Sequence, residues 1–134
     1  MYTVRVQDHI DAAHFLKGYE GPCKNIHGHT WRLEVVIKGR KLSTINMLID
    51  FKVVKEILKK IIKPLDHNGF LNDNLKTENP TAEFLAKWLF VEFVVALAEA
   101  TEGCKDFWVS EVTIWESAEC SSTYNPEKGD NDAN

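Results

Sequence analysis

The sequence lacks the features that mark several large classes of protein. Its cysteines number only three, without the dense spacing of a disulfide scaffold. Basic residues are not in excess, because 16 Lys and Arg face 20 Asp and Glu, and a net charge of −4 disfavours nonspecific nucleic-acid binding. No apolar run reaches membrane-spanning length, and the first residues do not resemble a signal peptide. These absences predict a cytoplasmic protein that binds neither nucleic acid nor membranes.

The composition that remains is that of an ordinary globular domain. The chain has 134 residues, of which 44% are hydrophobic and 27% charged. A chain of this size can bury its own core without metal or disulfide support. We therefore expect one domain over residues 1–125, followed by a polar C-terminal tail over residues 126–134.

Alternation of apolar and polar residues predicts two strands at the start of the chain. Residues 2–14 alternate, with the even positions directed inward. Residues 18–24 contain two glycines and a proline, which predicts a turn. A second alternating segment follows, and its inward residues are Trp31, Leu33, Val35 and Ile37. The two segments are expected to pair as an antiparallel hairpin.

Two helices are predicted in the middle of the chain. Residues 51–62 carry apolar side chains at three- and four-residue spacing, with lysines on the other side. A second helix is expected to begin with Asn79 as its N-cap and Pro80 as its first residue. It should continue to about Glu102, with Gly103 as its stop signal.

The chain closes with two further predicted strands, at residues 107–115 and 121–124, rich in aromatic, β-branched or hydroxyl residues. The resulting element order is ββααββ. This order predicts an α+β fold in which a four-stranded antiparallel sheet carries both helices on one face.

Three histidines form a candidate metal site. His27 and His29 lie two positions apart and so share one face of a strand, and the hairpin would place His14 beside His27. Three neutral imidazoles suit zinc and leave a fourth position for substrate. One alternative is that the His-x-His pair is a surface coincidence and His14 a core residue. Another is that Cys23 closes the tetrahedron as a fourth, structural ligand.

Three further residues are candidates for proton chemistry. Cys23 lies in a Gly- and Pro-containing loop beside Lys24, where positive charge favours a thiolate, although an inert loop thiol is the alternative. Asp66 and His67 follow the helix break at Pro64, and a carboxylate can orient an imidazole for acid–base work. Such a pair can also simply cap and solvate the end of a helix.

A carboxylate near the end of the third strand is the remaining candidate. Glu116 shares the inward parity of Val112 and Ile114, so it needs a partner such as a donor-rich heterocycle or a buried basic residue. Thr81 and Glu83 lie at the start of the second helix, where both residue types are favoured irrespective of function.

Together these segments resemble the family of 6-pyruvoyl tetrahydropterin synthases and 6-carboxytetrahydropterin synthases. The resemblance extends from His14 to Tyr124 and includes the segments AAHFL, CKNIHGHTWRLEV, LIDF, LDHNGFLND, ENPTAEFLAKWL and VTIWES in the family's order. Three residues separate Cys23 from His27, which is similar to the carboxy branch. Ile10 and Asp11 depart from the Phe-Ser that more often precedes Ala-Ala-His in the family.

The resemblance implies a tunnelling fold (T-fold) and a trimer-based homohexamer with active sites between subunits. It implies a zinc enzyme acting on 7,8-dihydroneopterin triphosphate, with products 6-carboxy-5,6,7,8-tetrahydropterin, acetaldehyde and triphosphate, in the synthesis of queuosine. The residues carried over are the zinc ligands His14, His27 and His29, the catalytic residues Cys23, Asp66, His67 and Glu116, and the pterin-binding residues Glu116, Thr81 and Glu83. Lys17, Lys24 and Arg32 are near enough to be considered for the triphosphate.

Three other functions remain open at this point. The nearest is the pyruvoyl-type reaction, which eliminates triphosphate from the same substrate without cutting the carbon chain. A cupin-type metal protein is less consistent with the sequence, because Glu34 has the wrong strand parity for a ligand and two long helices do not suit a jelly roll. A noncatalytic zinc module with Cys23 as the fourth ligand is the third.

Overall fold

Four strands form one antiparallel sheet in the order in which they occur in the chain. A computed structural model of the chain describes residues 1–126. Its strands are β1 (Tyr2–His14), β2 (His27–Gly39), β3 (Phe107–Trp115) and β4 (Ser121–Tyr124). The expected α+β arrangement is confirmed. Of the predicted tail, residues 126–134, all but Pro126 lie outside the described residues.

The predicted hairpin of β1 and β2 is present, and the histidines lie at the end closed by the connecting loop. The register begins with Tyr2 opposite Gly39 and finishes with His14 opposite His27. A short 3-10 turn at Pro22–Lys24 lies between the two strands. The inward faces are those predicted, because the even positions of β1 from Val6 onward are buried except the half-buried Asp8, and the odd positions of β2 are buried from Trp31 onward. The hairpin therefore carries His14 and His27 on its inner face.

Three helices accompany the sheet. They are α1 (Phe51–Ile62), α2 (Leu71–Asn74) and α3 (Ala82–Ala100). The bounds of α1 are those predicted, and the Asp50 carboxylate caps it by accepting from the Lys52 amide at 2.8 Å. Side chains of α1 and α3 form one buried core with the inward residues of the sheet, so both long helices lie on the same face.

The predicted ends of α3 require correction. Its N-cap is Thr81, whose hydroxyl accepts from the Phe84 amide at 3.2 Å, and not Asn79. The Thr81 amide donates to the Asn79 carbonyl at 2.9 Å, so the chain turns tightly before the helix begins. The helix ends at Ala100, because Glu102 and Gly103 adopt the left-handed conformation with φ of 53° and 71°.

The short helix α2 was not predicted, since four residues are too few to display a helical period. It carries the buried side chain of Asn72, which ties two distant segments together. The Asn72 amide donates to the carbonyls of Phe15, at 2.9 Å, and Glu78, at 3.1 Å. The end of β1 is thereby fixed to the segment that precedes α3.

Helix α3 is apolar around most of its circumference. Its buried side faces the core, yet Phe84, Val91, Val94 and Val95 are all more than a third exposed. Even so, no helix among the described residues combines the length and apolarity needed to cross a bilayer.

Candidate metal centre

The pairing of β1 with β2 brings the three predicted ligands together. His14 lies opposite His27 and Ala12 lies opposite His29, so the three imidazoles gather at the loop end of the hairpin. Glu116 follows the last residue of β3 and brings a carboxylate to the same place. The four side chains form a group whose ligand atoms all lie within 4.8 Å of one another, which could hold a metal ion.

The distances between these atoms match a single small coordination sphere. His14 Nε2 is 2.9 Å from His27 Nε2 and 3.4 Å from Glu116 Oε1, and His29 Nε2 is 2.9 Å from the same oxygen. Ligands at zinc distances occupy tetrahedral vertices about 3.3 Å apart. A modest expansion of the group around one ion would satisfy that geometry.

Hydrogen bonds from the outer ring nitrogens fix the tautomers of two ligands. His14 Nδ1 lies 2.9 Å from the carbonyl oxygen of Pro80, and His27 Nδ1 lies 2.7 Å from that of Asn25. A carbonyl only accepts, so in the neutral rings both protons lie on Nδ1. The facing Nε2 atoms then present one lone pair each and cannot bond to one another. A cation between them would remove this repulsion, and backbone carbonyls that accept the outer N–H groups are the usual partners of metal-binding histidines.

The third histidine, His29, presents a ring nitrogen that has no hydrogen-bond partner within residues 1–126. His29 Nε2 is buried and makes no hydrogen bond among the described residues. It approaches Glu116 Oε1 to 2.9 Å, but the ion pair is not aligned as a hydrogen bond. Since buried polar atoms in native proteins are normally satisfied, this nitrogen fits a coordinate bond.

Burial favours the neutral form of two of the candidate ligands, which is the form that binds metal. Desolvation lowers the pKa of His14, an effect that the hydrogen bond to Pro80 partly opposes. Desolvation likewise lowers the pKa of His29, against the attraction of Glu116. Metal binding requires neutral imidazole, so neither ring has to lose a proton at neutral pH.

A buried aromatic ring supports two of the ligands. Trp31 is fully buried and meets His14 and His29 edge to face, with ring centroids 4.9 and 5.2 Å away. Its indole N–H donates to the carbonyl of Ala12 at 3.2 Å. Trp31 is thus locked in place and restricts the rotamers of both imidazoles.

Asp66 and His67 form a second cluster, on the opposite face of β1. Asp66 Oδ1 lies 3.0 Å from His67 Nδ1 and accepts the amide of Asp11 at 2.8 Å. The Asp11 hydrogen bond is the main cause that lowers the pKa of Asp66, and the His67 side chain adds to it. Asp11 occupies an odd position and His14 an even one, so their side chains leave β1 on opposite sides, while His67 and His29 border one shared cavity.

The family described as 6-pyruvoyl tetrahydropterin synthase matches residues 3–127 of the chain. The chain belongs to this family. The expected family, its fold and an enzyme of the pterin synthase class are thereby confirmed. A structure of 6-pyruvoyl tetrahydropterin synthase from Caenorhabditis elegans superimposes with a TM-score of 0.78 at 24% identity, covering 92% of this chain and 94% of that one.

Relatives named 6-carboxy-5,6,7,8-tetrahydropterin synthase share more of the sequence. That of Synechocystis sp. is 37% identical over 97 residues, which are 69% of this chain and 74% of the relative. That of Haemophilus influenzae is 30% identical over 132 residues, which are 87% of this chain and 94% of the relative. The family likeness therefore extends through the whole described fold.

Within residues 1–126, the structure does not join the remaining predicted site residues Cys23, Thr81 and Glu83 to the histidines. The Cys23 thiol, in the 3-10 turn between β1 and β2, is not a member of the metal-binding group. Thr81 caps α3 and comes directly after Pro80, whose carbonyl is bonded to His14. Glu83 accepts from the Ser122 hydroxyl at 2.5 Å. None of the three contacts the histidines in an observed hydrogen bond or ion pair.

Two of the basic residues considered for the triphosphate already interact with other side chains of the chain. Lys17 is paired with Glu78 at 2.9 Å on the surface. Arg32 stacks on the ring of Trp115 at 4.1 Å and has the parity opposite to the ligands on β2. Within a single chain, Arg32 therefore does not face the metal centre.

Sequence reasoning missed two kinds of site component. The carbonyls of Asn25 and Pro80 carry no residue-type signal, because any residue supplies a backbone oxygen. Asp11 was noted only as a departure from the family pattern. Its odd position on β1 was a signal that it faces away from the core, but nothing local indicated that Asp66 and His67 pack beside it.

Proposed function

We propose that this chain is a zinc-dependent 6-carboxy-5,6,7,8-tetrahydropterin synthase. It would convert 7,8-dihydroneopterin triphosphate and water into 6-carboxytetrahydropterin, acetaldehyde and triphosphate, in the cytoplasm, as a step toward queuosine. The observation that carries the proposal is the convergence of three imidazole nitrogens with a carboxylate at the loop end of the hairpin. The names of the relatives support the choice of product.

His14, His27 and His29 would hold the zinc. Bound there, zinc would act as a Lewis acid on the hydroxyls of the substrate side chain. The carbonyls of Pro80 and Asn25 keep the ligand tautomers, and Trp31 keeps the ring orientations. The protein thus supplies a preorganised centre rather than one assembled by the ion.

Cys23 and His67 are the proposed proton-transfer groups. The Cys23 thiolate would remove a proton from the substrate side chain, and its turn lies between the strands that bear the ligands. His67, oriented by Asp66 at 3.0 Å, would move protons on the other side of the substrate. The opposed faces of His14 and Asp11 on β1 support a site completed by a second copy of the chain.

Assembly of several copies is therefore part of the proposal. Both β1 and β4 are edge strands of the sheet, and uncovered edges readily pair with other chains; the loop at residues 66–70 covers the edge of β1 only at Asp11 and Ala13. Helix α3 also exposes apolar side chains that an assembly could cover. We infer a hexamer of two trimers, with Asp66 and His67 contributed to a neighbouring centre.

The reaction products test the proposed activity. Incubation of the zinc-loaded protein with 7,8-dihydroneopterin triphosphate should release acetaldehyde and triphosphate in equal amounts, together with 6-carboxytetrahydropterin detected by mass spectrometry. Formation of 6-pyruvoyl tetrahydropterin without acetaldehyde would assign the pyruvoyl-type reaction instead. Zinc binding without turnover of the substrate would favour the noncatalytic module.

Glu116 can serve either the metal or the pterin ring, and the two roles predict different results. As the pterin anchor, Glu116→Gln should raise KM by about 10- to 100-fold through loss of a charge-assisted bidentate contact, while bound zinc remains at one per chain. Steady-state kinetics and metal analysis on the same preparation measure both quantities. Glu119→Gln, an exposed neighbour, is the matched control. Loss of zinc with an unchanged KM would identify Glu116 as a ligand.

A further inference from the structure

Asp11 holds the loop of the second cluster through its backbone. Its amide donates to Asp66 Oδ1 at 2.8 Å, and its carbonyl accepts from the His67 amide at 2.8 Å. Both bonds use main-chain atoms of Asp11, so any non-proline residue at this position could form them. The carboxylate of Asp11 is not required to keep the loop on the strand.

The carboxylate instead stands beside the imidazole. Asp11 Oδ2 lies 3.6 Å from His67 Nε2, while Asp66 Oδ1 lies 3.0 Å from His67 Nδ1. The other oxygen of Asp11 accepts from the hydroxyl of Thr30, which fixes the carboxylate on the strand pair. The His67 ring therefore has a carboxylate next to each of its two nitrogens.

Such a ring would otherwise be free to turn. The side chain of His67 is 71% exposed, and an exposed side chain exchanges rotamers rapidly. Its backbone, in contrast, is held in the left-handed conformation with φ of 51° by the bond to Asp11. Only the side-chain torsions of His67 remain free to rotate, and the two flanking carboxylates restrain that rotation.

The cluster borders a shallow cavity of about 470 Å³. Asp11, Thr30 and His67 line it together with the candidate metal ligand His29 and the small residues Ala12, Ala13, Gly28 and Gly69. No atom within 4 Å would contact a side chain added at Gly28 except the carbonyl oxygen of Ala12 at 4.0 Å, so this surface is open. The imidazole is thus oriented at the edge of a space that another molecule can enter.

We propose that Asp11 is a positioning residue for His67. Its carboxylate restrains the Nε2 side of the imidazole while Asp66 restrains the Nδ1 side, so that the ring faces the cavity in one orientation. The inference rests on the proposed role of His67 in proton transfer. It adds to that role a second carboxylate that acts only through the imidazole.

Asp11→Asn tests the inference, because it removes the charge and preserves the size and both backbone bonds. We expect kcat to fall on the order of tenfold, a fraction of what a complete acid–base group contributes, with KM changed by less than about twofold. The side-chain ¹⁵N signals of His67, assigned by comparison with His67→Asn, should shift as the ring loses its second partner. Asp8→Asn, a carboxylate on the same strand but outside the cluster, is the control.

A double-substitution cycle separates positioning from other roles of Asp11. If the carboxylate acts through His67, then Asp11→Asn should cost nothing further in the His67→Asn background. An equal loss in both backgrounds would overturn the inference, as would unchanged His67 signals in Asp11→Asn. Full turnover by His67→Asn would instead refute the proton-transfer role, and the His67 signals would still decide whether Asp11 positions the ring.

Discussion

Replacement of His29 by asparagine is expected to lower zinc affinity by more than about a hundredfold, which exceeds the effect typical of outer-sphere substitutions. Turnover should be lost as well, because the proposed reaction requires bound zinc. His29 is the ligand whose loss should damage the fold least. Its Nε2 makes no hydrogen bond among the described residues, and its side chain is 25% exposed. His14, at 2% exposure and bonded to Pro80, is a poorer choice because its replacement disturbs the core.

The measurement is a competition titration with a chromophoric chelator, accompanied by circular dichroism of the metal-free protein. His9→Asn is the matched control, since His9 lies on the exposed face of β1 and outside both clusters. It should bind zinc and turn over like the unaltered chain. Zinc held by His29→Asn with the original affinity would show that the three histidines do not form the site.

The second large effect is expected at Cys23. Cys23→Ala should reduce kcat by about 10²- to 10⁴-fold, the usual contribution of a proton-transfer group, while zinc remains bound. Zinc should be retained because the thiol lies outside the group formed by the histidines and Glu116. Turnover and metal content are measured on one preparation. Loss of turnover with zinc retained identifies the Cys23 thiol as a base, whereas loss of zinc identifies it as a ligand.

Two exposed cysteines provide the comparison. Cys104→Ala and Cys120→Ala should leave turnover unchanged, since both thiols are exposed, neither belongs to the group of histidines and Glu116, and the Cys120 carbonyl that accepts the Glu116 amide is kept in alanine. Alkylation supplies an independent readout: in the zinc-loaded protein the Cys23 thiol should react. A thiol that reacts only after zinc is removed, together with metal lost from Cys23→Ala, would support a structural site closed by sulfur.

The sequence predicted those parts of the fold whose signal is periodic. The alternation in residues 2–14 and the apolar spacing in residues 51–62 determine which side chains can be buried, and both elements have the predicted bounds. The start of α3 was predicted wrongly because Asn79 and Thr81 are both good N-caps. The local pattern favours Asn79 before Pro80, whereas in the folded chain the tight turn at residues 79–81 leaves Thr81 as the cap.

The candidate site was predictable to the extent that it depends on strand parity. Parity placed His14, His27 and His29 together and directed Glu116 inward, and all four side chains converge. Parity could not reveal that Asp11 lies against His67, because that contact joins positions 56 residues apart through a loop. The distance of Glu116 from the ligands also depended on how β3 ends, which alternation does not specify.

The oxygens that hold the tautomers of His14 and His27 belong to peptide groups and not to side chains. Alanine scanning will therefore not detect them, because a substituted residue at position 25 or 80 still carries a carbonyl. Over evolution, the residue types at these two positions can drift while the ring protons stay where they are. What must persist is the path of the chain, so insertions and deletions near these positions should be more harmful than exchanges of residue.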